Sequence, residues 1–373
     1  MMRNTSLVWL FAVTVVACAG AGWALVSARD AGAATTAVPT SLFPDLTDPA
    51  GVKTASVTTP FYAISVARAG DRWVAQSKAN YPIQAKAAND LAAAVAGLQP
   101  FVAKTRLPEW YARLGVADQA PTSTSKLVAL DGADAKPLAA LLVGNVSAEP
   151  TASGGSSIYV RKPGDAQSWL VHGLVPVPDT LGAWFDPVMK VAAADIAALT
   201  ITDGGTSFTA SKDAAGNYQL DPAIATTLET GATANDASVK RLTQLLVLLQ
   251  LDDVIDKATV AATPAGRSLT FNSSKGVRLV FTQHAFDGND WFTIDVDATS
   301  PDGQALATDI ASRTANWAFR FDHNRTATLD TKIDDLEQLP SEAKQPPVPN
   351  GFTPGEMQNL PSMPGGVFVP PQQ

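Results

Sequence analysis

Two stretches far apart in the chain run through the same order of elements, and that recurrence limits the folds open to it. The first has alternating residues over Val52 to Val57 and Tyr62 to Ala67, a turn at Ala69-Gly70-Asp71-Arg72, and a third strand led by Trp73-Val74. The second has Ile196 to Thr202 and Phe208 to Ser211, the turn Ala215-Gly216-Asn217, and then Tyr218-Gln219-Leu220. Glycine beside Asp or Asn between alternating runs is a hairpin signal, and in both stretches an aromatic residue follows the turn.

A helix is expected next in each. Ala88, Leu91, Val95 and Leu98 have the same three-four-three spacing as Val239, Leu242, Leu246 and Leu249, which is one apolar face of an amphipathic helix. Asn235 or Asp236 is the N-cap candidate for the second, since a short side-chain oxygen can accept from the free N–H groups of a first turn. Both faces are expected to pack on the sheet of their own unit. Strands then return: Lys126 to Leu130, Leu138 to Val143, Ile158 to Arg161 and Ser168 to Val171 in the first unit, and Arg267 to Phe271, Val277 to Thr282 and Trp291 to Val296 in the second. Thr180 to Lys190 reads as a short helix, and Asp302 to Arg313 with Trp317 to Phe321 closes the body.

Strands in runs, with isolated helices between them, predict an α+β fold of mostly antiparallel sheet. The expected organisation is an N-terminal anchor over 1–30, a linker over 31–50, tandem similar units over 51–190 and 191–330 with one main amphipathic helix each, and a Pro-rich tail over 331–373. From Leu339 onward nine prolines fall in thirty-five residues, a composition that cannot bury enough surface to offset ordering entropy, so disorder is expected there. Pro346-Pro347-Val348-Pro349 is a polyproline docking candidate within a segment whose expected role is that of a spacer.

Leu7 to Val26 is a run of twenty residues without a charge, long enough to cross a bilayer as one transmembrane helix. Trp9 and Trp23 lie near its ends, at headgroup level, and Arg3 precedes it, which orients the body away from the cytoplasm. Two other readings stay open. Small residues from Ser27 to Ala34 suit a signal peptidase, and Val15-Val16-Ala17-Cys18 resembles a relaxed lipobox with Cys18 as the lipidated residue. All three put the body on the far side of the membrane from the cytoplasm. Cys18 is the sole cysteine, so core packing and not disulfides must hold the body.

With 46% hydrophobic residues the body can bury a sizeable core, while a net charge of -8 and the lack of a Lys/Arg stripe argue against nucleic acid as a partner. Catalytic signals are weak. Ser123 and Lys126 match Ser-x-x-Lys, but they run into a predicted strand, where three-residue spacing puts side chains on opposite faces, and neither companion motif exists. His172, His284 and His323 are too scattered for a local metal site. Asp295, Asp297 and Asp302 only partly match a calcium loop, and Asp287-Gly288-Asn289-Asp290 reads as a turn. Gly154-Gly155 and Gly204-Gly205 do not open a helix after a strand, so no phosphate loop is expected. No catalytic, cofactor-binding or metal residue is predicted; Cys18 is the one candidate for modification.

Several segments together carry a family resemblance: Leu42-Phe43-Pro44-Asp45-Leu46, Trp110-Tyr111 to Leu114-Gly115-Val116, Ile158-Tyr159-Val160-Arg161 leading to Ser168-Trp169-Leu170-Val171, and Ala183-Trp184-Phe185-Asp186 before Asp195-Ile196. The chain resembles the bacterial domain of unknown function 4340 family over roughly Leu42 to Asp322. The resemblance implies an envelope protein with an N-terminal anchor, of the kind that accompanies ABC-type transport systems, gliding-motility auxiliary components included. An ABC-type permease and its ATPase are the partners it suggests. It implies no catalytic residue. A non-catalytic accessory or binding component is therefore expected, with an envelope enzyme on a wall or lipid substrate, or a solute-binding protein hinged near Val191, as alternatives. The long proline-rich tail departs from the family pattern.

Overall fold

The computed structural model describes residues 38–148, 155–189, 191–221 and 232–338. The N-terminal apolar run, Cys18, Gly154 and the tail from 339 on lie outside the described residues. Among the described residues no helix is long and apolar enough to cross a membrane.

The first sheet is built from β1 (Thr54–Thr58), β2 (Ala63–Ala69), β3 (Arg72–Ala75), β4 (Tyr81–Pro82), β5 (Pro100–Ala103), β6 (Lys126–Asp131), β7 (Pro137–Val146), β8 (Ser157–Arg161) and β9 (Ser168–His172), with helix α1 (Ala85–Ala96) between β4 and β5. Its order is β4-β3-β2-β1-β6-β7-β8-β9-β5, and every neighbouring pair is antiparallel. Alternation decides its faces: in β1 Ala55 and Val57 are buried while Thr54, Ser56 and Thr58 are less so. Helix α1 buries Ala88, Leu91, Ala92 and Val95 in the core and ends at Gly97, leaving Leu98 buried just beyond it.

The second half contains β10 (Ile196–Asp203), β11 (Thr206–Lys212), β12 (Tyr218–Leu220), β13 (Thr233–Ala234), helix α2 (Asp236–Gln244), β14 (Leu251–Asp256), β15 (Ser268–Ser273), β16 (Val277–Phe286), β17 (Asn289–Ala298), helix α3 (Gln304–Thr314), β18 (Trp317–Phe321), helix α4 (His323–Leu329) and β19 (Glu337–Gln338). The second large sheet has the order β12-β11-β10-β15-β16-β17-β18-β14, again antiparallel at every pair. Apart from β4, the two sheets share one strand order, and in each the far edge strand, β5 or β14, is the one that follows the helix. The fold is thus α+β, with mostly antiparallel sheet and few helices.

Several expectations need correction. The second amphipathic helix stops at Gln244 and tightens into a 3-10 turn over Leu245–Leu248, although Leu246 and Leu249 are still buried. Asn235 caps it, its side chain accepting from Ser238 N–H at 3.2 Å. Of the short helix expected over Thr180 to Lys190, the described residues keep a single 3-10 turn, Leu181–Trp184, and Lys190 lies outside them. Residues 331–338, assigned above to the tail, belong to the body: Leu336 is fully buried, its carbonyl accepts from Asn235 N–H at 2.8 Å, and β19 pairs with β13.

The chain passes from one large sheet to the other between His172 and Ile196, and one hydrophobic core runs through both. At the junction the Tyr81 ring stands edge-on to Phe185, Trp317 and Phe319, with centroids 5.6, 5.2 and 5.8 Å away. Trp317 Nε1 donates to Ala79 O at 3.0 Å, and Lys78 pairs with Asp253 at 2.7 Å. Burial drives the Tyr81 phenol well above its ordinary pKa, so it packs as a neutral ring.

Candidate functional site

The described surface carries two clefts of about 520 Å³ each, and they differ in chemistry. One lies at the junction, between Gln84 and the Thr180–Pro187 segment on one side and Leu249–Leu251 on the other. Its polar groups are largely occupied by the fold: Gln84 Nε2 donates to the carbonyls of Ala183 and Phe185 at 3.3 and 3.1 Å. At Gly182 the chains come so close that a Cβ would sit 1.7 Å from Leu251 O. Asp186 is the one ionisable residue in its lining.

The other cleft is built around Arg267, which immediately precedes β15. Arg267 is in phase with Leu269 and Phe271, the core-facing residues of that strand, so alternation turns its side chain inward and leaves it only 6% exposed. Its Nη2 donates to the carbonyl of Thr331, while Nε is buried without a partner. Asp203 and Asp330 act on it through their charge, and burial holds the guanidinium below its usual pKa.

Asp290, Lys332 and Gln283 complete the wall, and Gln283 Nε2 donates to Asp330 Oδ1 at 3.3 Å. The Asp330 carboxyl is raised above the ordinary carboxylate range, first by burial and then by the Asp290 charge. Two cations and three carboxylates thus face one pocket, an arrangement able to bind a polar ligand carrying both signs of charge. It presents no serine, cysteine or histidine for nucleophilic or imidazole chemistry. Sequence reasoning missed this site; the available signal was a cation in phase with the buried positions of an alternating strand.

The residues weighed on sequence lie elsewhere and apart. Ser123 Oγ is 2.8 Å from Ser125 Oγ, whereas Lys126 Nζ pairs with Asp179 at 3.1 Å, so they do not form a dyad. The His172 ring stacks on Phe101 at 4.0 Å. His284 lies between the hydroxyls of Thr263 and Thr293, 3.3 Å from each, and His323 opens α4. Asp295 and Asp297 pair with Lys257 and Arg278, each at 2.6 Å, and among the described residues no acidic, histidine or cysteine cluster could hold a metal ion. Gly204-Gly205 and Asp287-Gly288 are two-residue hairpin turns with positive φ at both positions, the geometry that favours glycine.

With this geometry in hand, comparison with known families matches residues 73–266 to the domain of unknown function DUF4340, just over half of the chain. The chain belongs to that family. The match starts in β3, takes in Tyr81, Trp184 and Phe185 at the junction, and ends at Gly266, one residue before Arg267. It is narrower than the Leu42 to Asp322 span over which the resemblance was drawn. No curated protein and no solved structure matches this DUF4340 chain.

Proposed function

We propose that this DUF4340 protein is an inner-membrane-anchored, periplasm-facing accessory component of an ABC-type transport or envelope assembly, which binds partners and catalyses nothing itself. Its body consists of two tandem units that meet near residue 190, the second running on to 338, and they are related by duplication; the shared strand order of the two sheets supports that relation. The observation that carries the binding role is the Tyr81 junction. Aromatic packing on Phe185, Trp317 and Phe319, within one core common to both sheets, makes the body a rigid scaffold. The anchor rests on the uncharged run Leu7 to Val26, and the transport association on the family resemblance.

A hinge near Val191 has less support, because Val191 is buried in that common core and domain closure would have to break the Tyr81 contacts. The envelope-enzyme reading draws nothing from Ser123 and Lys126, which have separate partners. Binding of a small zwitterionic ligand is the second reading that a specific observation favours, namely the buried Arg267 guanidinium facing three carboxylates.

The test is co-purification of the full-length protein from native membranes in mild detergent, with crosslinking and mass spectrometry. Recovery of a permease and its ATPase, lost when the body is deleted and the anchor kept, is the expected result. A protein that comes out alone sinks the accessory role. The ligand reading is checked by thermal shift with free amino acids, expected to stabilise the wild type and not Arg267→Met.

A further inference from the structure

Residues 106–110 are exposed without interruption, as are Ala112 and Arg113, whereas Tyr111 between them is buried. Tyr111 Oη donates to the carbonyls of Ala166 and Arg106 at 2.6 and 3.2 Å, and the Arg161 guanidinium lies 4.3 Å above its ring. This surface loop, which holds a 3-10 turn over Pro108–Trp110 and a short α-helix over Tyr111–Leu114, is therefore pinned to the sheet by its inward residue. Its outward residues include Leu107, 53% exposed, and Trp110, 45% exposed, with the Arg113 guanidinium 5.5 Å from the Trp110 ring. Within 104–113, Lys104, Arg106 and Arg113 outnumber Glu109, and of the two carboxylates that act on Tyr111 from outside it, Asp118 is paired with Arg161, so this segment is basic on a chain of net charge -8. Exposed Trp and Leu beside arginines match the apolar boundary and anionic headgroups of a lipid surface.

The position of the loop agrees. The described chain begins at Val38, and Phe43 lies buried 5.1 Å beneath Lys162 Nζ. Lys162 opens the turn that follows Arg161, and Ala166 in that same turn holds Tyr111. Where the tether joins the body and where the loop projects are thus two sides of one hairpin. The segment from Val26 to Val38 spans at most about 40 Å when fully extended, which keeps this end of the body near the bilayer.

We propose that the Arg106–Arg113 loop rests on the anionic surface of the membrane that holds the anchor, with Leu107 and Trp110 inserted at headgroup level and Arg106 and Arg113 on lipid phosphates. The inference rests on the anchored reading above.

The experiment uses the full-length chain with Cys18→Ser and a single new cysteine, Leu107→Cys, carrying an environment-sensitive fluorophore. It is reconstituted into vesicles of equal parts phosphatidylcholine and phosphatidylglycerol, and Val247→Cys, exposed in the second half, is the control. Expected are flotation with the vesicles, a blue shift and quenching by brominated lipid at position 107, neither effect at position 247, and loss of both in Arg106→Glu/Arg113→Glu. Flotation with no quenching at 107 overturns the loop assignment and leaves the anchor standing. Absence of flotation overturns the anchor and the loop with it. Quenching equal at both positions, or surviving reversal of both arginines, also overturns the proposal. Protection of position 107 in native membranes but not in these vesicles would assign the loop to a protein partner instead.

Discussion

The indole Nε1 of Trp317 donates to the carbonyl oxygen of Ala79 at 3.0 Å, joining the fifth-to-last strand residue of the second sheet to the connection before β4 in the first. That carbonyl belongs to a residue in the left-handed region, φ 51°, followed by Asn80 at φ 57°. The bond and the Tyr81 ring beside it fasten the two sheets at a point that neither could complete alone.

Trp317→Phe should keep the edge-on contact with Tyr81 and lose only the hydrogen bond, at about 1 kcal/mol. Trp317→Ala removes the packing as well and should cost about 3 kcal/mol or more. Urea unfolding of the two variants checks the difference, and a single cooperative transition for the wild type is expected from its one core.

Gly182→Ala should destabilise by about 2 kcal/mol, because the new Cβ would meet the Leu251 carbonyl, a backbone atom that cannot swing aside. Gly164→Ala in the β8–β9 turn is a contrast for strain without a clash: nothing lies within 4 Å of its Cβ, but its φ is +78°. Thermal denaturation of both separates the two causes.

Arg161, 2% exposed, donates from Nε to Val116 O and from Nη1 to Asp165 O, both at 2.9 Å, and from Nη2 to Asp118 Oδ1 at 2.6 Å. Lysine cannot reach three acceptors spread in a fork. Arg161→Lys should therefore lose about 2 kcal/mol or more through the buried carbonyls it leaves unpaired. It should also free the 106–113 loop, seen as faster tryptic cleavage after Arg106 and Arg113.

Asp330 sets a pH dependence. Its carboxyl is raised in the folded state, so the native protein holds that proton more tightly than the unfolded chain does, and the stability from this group is present at acid pH and lost as pH rises through the raised value. Asp330→Asn, which keeps the acceptor for Gln283, should make the protein more stable than wild type at pH 7. The advantage should vanish below the unfolded carboxylate pKa of about 4. Urea midpoints across that range give the answer, and a variant weaker than wild type at pH 7 would refute the sign.

Much of the sheet was legible because alternation and paired turns are local. Tyr218–Leu220 and Trp317–Phe321 have the boundaries expected, and of the turn read over Asp287 to Asp290 the structure keeps Asp287-Gly288, with Asn289 and Asp290 opening β17. β5 and β14 were not legible. β5 begins with Pro100, β14 reads Leu-Asp-Asp-Val-Ile-Asp, and each has a register shift against its partner. They are strands because β9 and β18 present a free edge to them, which is a long-range fact. The Arg267 site was half legible, since the strand was found but its one inward cation was not weighed.

What the residues settled on their own was therefore the local grammar: α+β, antiparallel strands, and helices with one apolar face, since periodicity and turn chemistry depend on neighbours a few positions apart. Tertiary structure alone decided that β5 and β14 close the sheets, that Tyr81 meets Trp317, and that Arg267, Asp203, Asp290 and Asp330 share a pocket. Those relations join residues far apart in sequence. Their energy comes from burial and charge at distances that exist only once the whole chain has packed.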